Sequence, residues 1–344
     1  MKLKTTLLAM AVLSTQAMAG ELNLDARFDN VSYTGNDAAA TPSYNAFQVS
    51  RLKLDYSGKF EDKHSYRVRF DFLSGPSSTT TTRDKTGKMV DFAFLSTKLT
   101  DDLSLTFGKL ITGMGGIEGS TNPGDFYLRS AAGNEVADIY WPTGAQLDWK
   151  MDDHRVRVTV ANNTEDVTSS SKLNQTRNMA GIIYTDKFMD GMLMPNLSYY
   201  SEKYSNGGVD KTNSYAAAGV KVKWQSMEFD VDYLQNKYSP DPQAANNTLD
   251  TQSGIVLARY FFTPENSLHA KYENSTKKIA TSATADKKQT ITGLTAAYEQ
   301  RFSSEKNFRW HVAYTQKDTK EDNIDTKTDK TVYVGVRILA DVLK

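Results

Sequence analysis

Residue types able to do covalent chemistry are few in this 344-residue chain: it has four histidines and no cysteine, against 41 basic and 41 acidic side chains. Without cysteine there is no thiolate nucleophile, no thiolate metal site and no disulfide framework. Hydrolytic chemistry needs a nucleophile beside a base, or a carboxylate–histidine pair in reach. His64 and His154 border short turns, and His269 and His311 fall two segments apart with no Ser–Asp set beside them. In Gly113-Met-Gly-Gly-Ile-Glu-Gly119, Glu118 stands where a nucleotide-binding Gly-x-Gly-x-x-Gly run needs its last glycine. Asp322-Asn-Ile-Asp-Thr-Lys-Thr-Asp329 fails the spacing of a calcium loop. Catalytic residues, metal and cofactor are therefore all expected to be none. The balanced charge also argues against a nucleic-acid partner, which demands a basic excess.

The charges follow a different rule. Arg27, Arg51, Lys53, Arg67 and Arg69, and later Lys150, Arg155 and Arg157, alternate one-for-one with apolar residues. Asp25, Asp29, Asp55, Asp71, Asp91 and Asp148 share their phase. A period of two is the strand signal. Sixteen such segments begin near 21, 46, 64, 88, 103, 144, 154, 177, 192, 214, 227, 250, 266, 289, 307 and 330. Tight connections such as Glu61-Asp-Lys63, Asp152-Asp153 and Gln225-Ser226 alternate with long polar stretches such as 75–87, 111–143 and 239–249. Tyr56, Phe60, Tyr66, Phe107, Trp149, Trp224, Phe302 and Phe308 crowd the strand ends near the short turns, as in a membrane-interface girdle.

The expected fold is all-β: a transmembrane antiparallel barrel of about 16 strands, with one long loop folded inward. A soluble sandwich would not sort its connections into long and short sets. Residues 1–19 read as a signal peptide, with Lys2 and Lys4, an apolar run Leu7–Leu13 and a cleavage site Ala17-Met-Ala19. Residues 20–344 then form a single barrel domain, expected in the outer membrane after export.

With the apolar face toward lipid, the charged face lines a lumen too wide for side chains to fill, so it holds water and passes solutes. The Glu61–Lys63 turn sets Arg69 opposite Asp55 and Asp71 opposite Lys53, leaving Arg27, Arg51 and Arg67 as candidates for free pore charge. The longest connection, 111–143, carries Glu118, Asp125, Arg129, Glu135 and Asp138. Its length suits a constriction loop. Facing a basic wall, its acids would set a transverse field across the bore.

Arg51-Leu-Lys-Leu-Asp-Tyr-Ser-Gly-Lys-Phe60, a turn, and Tyr66-Arg-Val-Arg-Phe-Asp-Phe72 resemble the phosphate-selective porin O and P family, as does Leu103-Ser-Leu-Thr-Phe-Gly-Lys109 before the glycine-rich loop. The resemblance is clearest over residues 47–119. It implies a trimeric outer-membrane channel for small anions or general hydrophilic solutes, with Arg51, Arg67, Arg69 and Lys109 carried over as pore charges. The expected pore-lining set is thus Arg27, Arg51, Lys53, Arg67, Arg69, Lys109, Arg155 and Arg157. Expected partners are outer-membrane lipid, lipopolysaccharide, small hydrophilic solutes and anions, and two further copies of the chain. The alternative is a non-conducting structural or adhesive barrel.

Overall fold

The structure is a computed structural model that describes residues 20–36, 42–73, 89–136, 141–162, 177–206, 209–238, 248–280, 287–302, 308–322 and 326–343. The leader assigned to residues 1–19 lies outside these residues, as does Asp138. Sixteen strands follow one another: β1 (Gly20–Gly35), β2 (Tyr44–Phe60), β3 (His64–Asp71), β4 (Val90–Lys98), β5 (Leu103–Lys109), β6 (Thr143–Met151), β7 (His154–Asn162) and β8 (Arg177–Thr185). The second half continues with β9 (Leu193–Asn206), β10 (Val209–Trp224), β11 (Met227–Tyr238), β12 (Thr248–Phe261), β13 (Asn266–Ala280), β14 (Lys287–Arg301), β15 (Phe308–Glu321) and β16 (Lys327–Leu343). Each pairs antiparallel with its sequence neighbours, and β16 returns to β1 to close the barrel. Closure leaves no strand edge with unpaired backbone groups, which a bilayer would not tolerate.

The alternation inverts the pattern of a soluble protein. On β13, Tyr272 is 46% exposed while its neighbours Lys271 and Glu273 are 5% and 2% exposed. Leu268 and Leu294 likewise point outward, and Glu299, His311 and Arg337 point inward and are buried. Apolar side chains outside and charges inside suit a wall with lipid on one face. Phe107, Trp149, Trp224 and Phe302 are exposed near the short turns, and Phe302 stacks on Phe308 at 4.5 Å.

The turns fix the register. Asp152 and Gln225 adopt φ of 50° and 53° in two-residue connections, the left-handed geometry that lets a hairpin follow the strand twist. Across the β2–β3 turn, Lys53 faces Asp71 and Asp55 faces Arg69, the register expected from the turn alone. Two short helices, α1 (Gly116–Ser120) and α2 (Ala131–Val136), lie in the connection between β5 and β6. No helix among the described residues is long and apolar enough to cross a membrane.

Candidate functional site

The interior charges of the first strands pair within the wall. Arg27 bonds Asp29 at 2.9 Å, Arg51 bonds Asp25 at 2.5 Å, and Lys53 reaches Asp71 at 2.9 Å and Asp91 at 2.5 Å. Arg69 faces Asp55 in register, yet its Nε donates to Asp91 at 2.8 Å. Asp55 is taken instead by Arg67, in a bidentate pair at 2.9 and 2.6 Å. Arg155 makes a similar fork on Asp148, which Arg157 also approaches at 3.6 Å.

Exposure separates these cations. Arg27, Arg51 and Lys109 are buried, so of the three candidates for free pore charge only Arg67 opens to the lumen. The Arg67 and Arg155 side chains are 44% and 46% exposed, while their partners Asp55 and Asp148 are 14% and 13% exposed. Each pair is a dipole with its positive end toward water.

The β5–β6 connection contacts interior side chains of the wall along most of its length. Tyr200 of β9 donates to Thr112 O at 2.9 Å, and Gly115 N–H donates to Ser198 Oγ at 3.2 Å. Asp232 of β11 accepts the N–H groups of Ile117 and Glu118 at 2.8 and 2.6 Å. Two glycines make room for that carboxylate: a Cβ on Gly116 would lie 2.4 Å from Asp232 Oδ1, and one on Gly219 would lie 1.7 Å from it. Gly116 also has φ +64°, which glycine adopts without strain. After α1 the chain reaches the opposite wall, where Arg51 of β2 donates to Asn122 Oδ1 at 3.2 Å. Segment 116–122 is thus a bar tied to β11 at one end and β2 at the other.

The loop then runs back along the second half of the wall. Asp125 pairs with Arg309 at 2.7 Å and with Arg337. Tyr127 donates to Glu299 at 2.8 Å, and Ala131 N–H donates to Glu273 at 2.7 Å. Glu135 accepts from Thr251 and pairs with Lys277 at 3.2 Å. Met114 and Val136 pack with Ala161, Met179, Ile183, Tyr200 and Tyr215, against which Trp141 also lies. Among the described residues the loop acids Glu118, Asp125 and Glu135 are each held in an ion pair with a cation of the wall. Arg129 sits half-buried in the same segment.

Burial by itself would raise the Glu118 carboxyl, but the Lys271 ammonium at 2.7 Å and the Ser130 donors outweigh it and hold the group below the usual carboxylate range. Asp125 is held low in the same way by Arg309 and Arg337 against its burial. Both loop acids are thus anionic, which is the form their partners need.

Lys271, Asp232, Glu273, Glu299, Arg309 and Arg337 are absent from the expected site. Their signal was the inward phase of β11 and β13–β16, which differs in no local feature from that of β2 and β3. At His269, Ser267 and Glu299 approach the same ring nitrogen, at 3.0 and 3.7 Å, while His311 pairs with Asp29 at 2.7 Å and His154 with Asp186 at 2.5 Å. Beneath the bar lies a cavity of about 580 Å³ walled by the short turns, with Lys98, Lys150, Arg155, Lys187 and Lys221 among its lining residues.

A search of curated protein sequences returned no match. Solved structures share the fold at low identity. An outer-membrane-expressed OmpT of Vibrio cholerae matches with TM-score 0.63 at 14% identity, covering 95% of this chain and 99% of that one. An anion-selective porin from Comamonas acidovorans matches with TM-score 0.66 at 13% identity, covering 94% and 100%. OmpF of Salmonella typhi, solved with daunomycin, matches with TM-score 0.64 at 16% identity, covering 93% and 97%. The family model for phosphate-selective porin O and P matches residues 17–339. With a closed sixteen-stranded barrel, a charged interior and that match over nearly its whole length, the chain belongs to the phosphate-selective porin O and P family and is a passive channel of the outer membrane.

Proposed function

We propose that the channel passes small hydrophilic solutes and ions by diffusion, with a mild preference for anions and no catalytic step. The observation that carries the preference is the polarity of the Arg67–Asp55 and Arg155–Asp148 ion pairs. Arg67 and Arg155 present guanidinium groups to water, and their carboxylates lie behind them. A lumen lined by positive dipole ends lowers the barrier for anions, and more so at low salt, where screening is weak. The β5–β6 loop acts as the constriction, supported by its ties to β2, β9, β11 and β12–β16. Export follows cleavage after Ala19, and the barrel works as a homotrimer among outer-membrane lipid and lipopolysaccharide.

Planar-bilayer recording in a salt gradient tests the preference. Replacing Arg67 and Arg155 by Ala should move the reversal potential toward cation preference; an unchanged potential removes these residues from selectivity. A second reading, a non-conducting structural or adhesive barrel, draws on how much of the bore the loop fills. An absence of current from the intact protein decides for it.

A further inference from the structure

The loop does not constrict the bore evenly. On fifteen of the sixteen strands at least one interior side chain is buried among the described residues, as with Arg51 on β2, Phe92 on β4, Thr159 on β7 and Asp232 on β11. The exception is β3. Its inward side chains, Ser65, Arg67, Arg69 and Asp71, are all at least partly exposed, and Arg67 most of all. Against β3 lies a cavity of about 210 Å³ walled by Asp25, Lys53, Asp55, Arg67, Arg69 and Asn122, the last being the far end of the bar.

One side of this gap is rigid. The Arg69 guanidinium lies 4.4 Å from the Phe92 ring and 5.1 Å from Trp141, and its Nη2 is buried without a hydrogen-bond partner. Such stacking holds a cation in place at little entropic cost. Arg67 sits directly across from Phe94, half-buried on β4, and is the cation in the gap most open to water.

We infer that solutes cross the constriction off-centre, through the gap between β3 and the Asn122 end of the bar, and that Arg67 sets the charge and size of what passes there. This rests on the channel reading and goes beyond it by naming one path among sixteen strands. The cavity holds about seven waters at ~30 Å³ each. That room suits a compact ion such as a short carboxylate and excludes a disaccharide.

The chain has no cysteine, so single cysteines can be labelled without background. Arg67→Cys and Ala313→Cys are recorded in planar bilayers before and after cationic and anionic methanethiosulfonate reagents. Ala313 is interior on β15 and, at 1% exposed, is closed to solvent. At Arg67→Cys we expect at least a twofold fall in current, with the cationic adduct restoring anion preference and the anionic adduct reversing it. At Ala313→Cys we expect no change in current and no adduct by mass spectrometry. If Arg67→Cys misfolds, Ser65→Cys on the same face of β3 takes its place and should be blocked as well. A labelled β3 cysteine with unaltered current overturns the path, and so does rapid block at Ala313→Cys. Failure of the intact protein to conduct at all overturns the channel reading instead, so the two failures are distinguishable.

Discussion

The two halves of the barrel wall use the same residue types to different ends. In β1–β7 the interior cations find acids on their own or adjacent strands, as in Arg67 with Asp55 and Arg155 with Asp148. In β11–β16 several interior charges reach across to the β5–β6 loop, as in Lys271 with Glu118, Arg309 with Asp125, and Asp232 with two backbone N–H groups, while Arg259 pairs with Asp230 within the wall. The first half keeps the Arg67 and Arg155 guanidinium groups open to water, while the second anchors most of the loop. The difference teaches that charge in a lumen is not evidence of charge in the path. What counts is whether a second layer of protein covers it.

Removing that layer should have the largest effect. Deleting the loop between Gly116 and Gly133 leaves the hydrogen-bonded barrel untouched but exposes the second half. Single-channel conductance should rise severalfold and larger sugars should enter, while heat-modifiable gel migration persists. If conductance and the sugar exclusion limit stay as they were, the loop is no constriction.

Cutting single ties should do the same in smaller measure. Lys271→Met strands the Glu118 carboxylate in a buried site, a change that costs about 3–5 kcal/mol for a broken buried pair. Asp232→Ala leaves two N–H groups without acceptors, at about 1–3 kcal/mol each. Both should produce noisy, enlarged openings in bilayer traces. Conductance traces identical to the parent's would show that these ties are redundant. Gly219→Ala, which forces Asp232 aside, should resemble Asp232→Ala.

Acid tests the loop's Glu118 and Asp125 ion pairs without mutation. The Glu118 and Asp125 carboxyls are held below their usual values. Their contribution to anchoring is therefore complete above the ordinary carboxylate pKa of about 4 and is lost only as pH falls through the depressed one. Conductance should hold steady from neutral pH down to about 5 and the traces become noisy only in stronger acid. Noise setting in near pH 6 would place the sensitive group elsewhere.

The smallest effect belongs to an exposed pair that ties nothing to the loop. Lys287 reaches Glu321 at 3.0 Å with its side chain 56% exposed. Lys287→Ala should change stability by less than about 1 kcal/mol and leave conductance alone. A conductance change there would blur the distinction between the two halves.

Much of the fold is legible in the sequence. The sixteen segment starts lie within five residues of the observed ones, the widest gap being at β10, expected from 214 and beginning at Val209. Alternation survives in the chain because each strand must show lipid one face and water the other. The Lys53–Asp71 register was equally readable, since a three-residue turn admits few pairings. The site was read less well. Arg51 and Arg27 look identical to Arg67 in local sequence, and only the loop packed over them removes them from the lumen.

Strand number, face and turn were thus determined by the sequence itself, because they depend on period and on neighbours a few residues away. Which charges are covered was decided by the tertiary structure alone. The ties between Glu118 and Lys271 and between Ile117 and Asp232 span more than a hundred residues. A contact of that separation leaves no periodic trace in the chain. It exists only once closure of β1 on β16 has brought the far wall within reach of the loop.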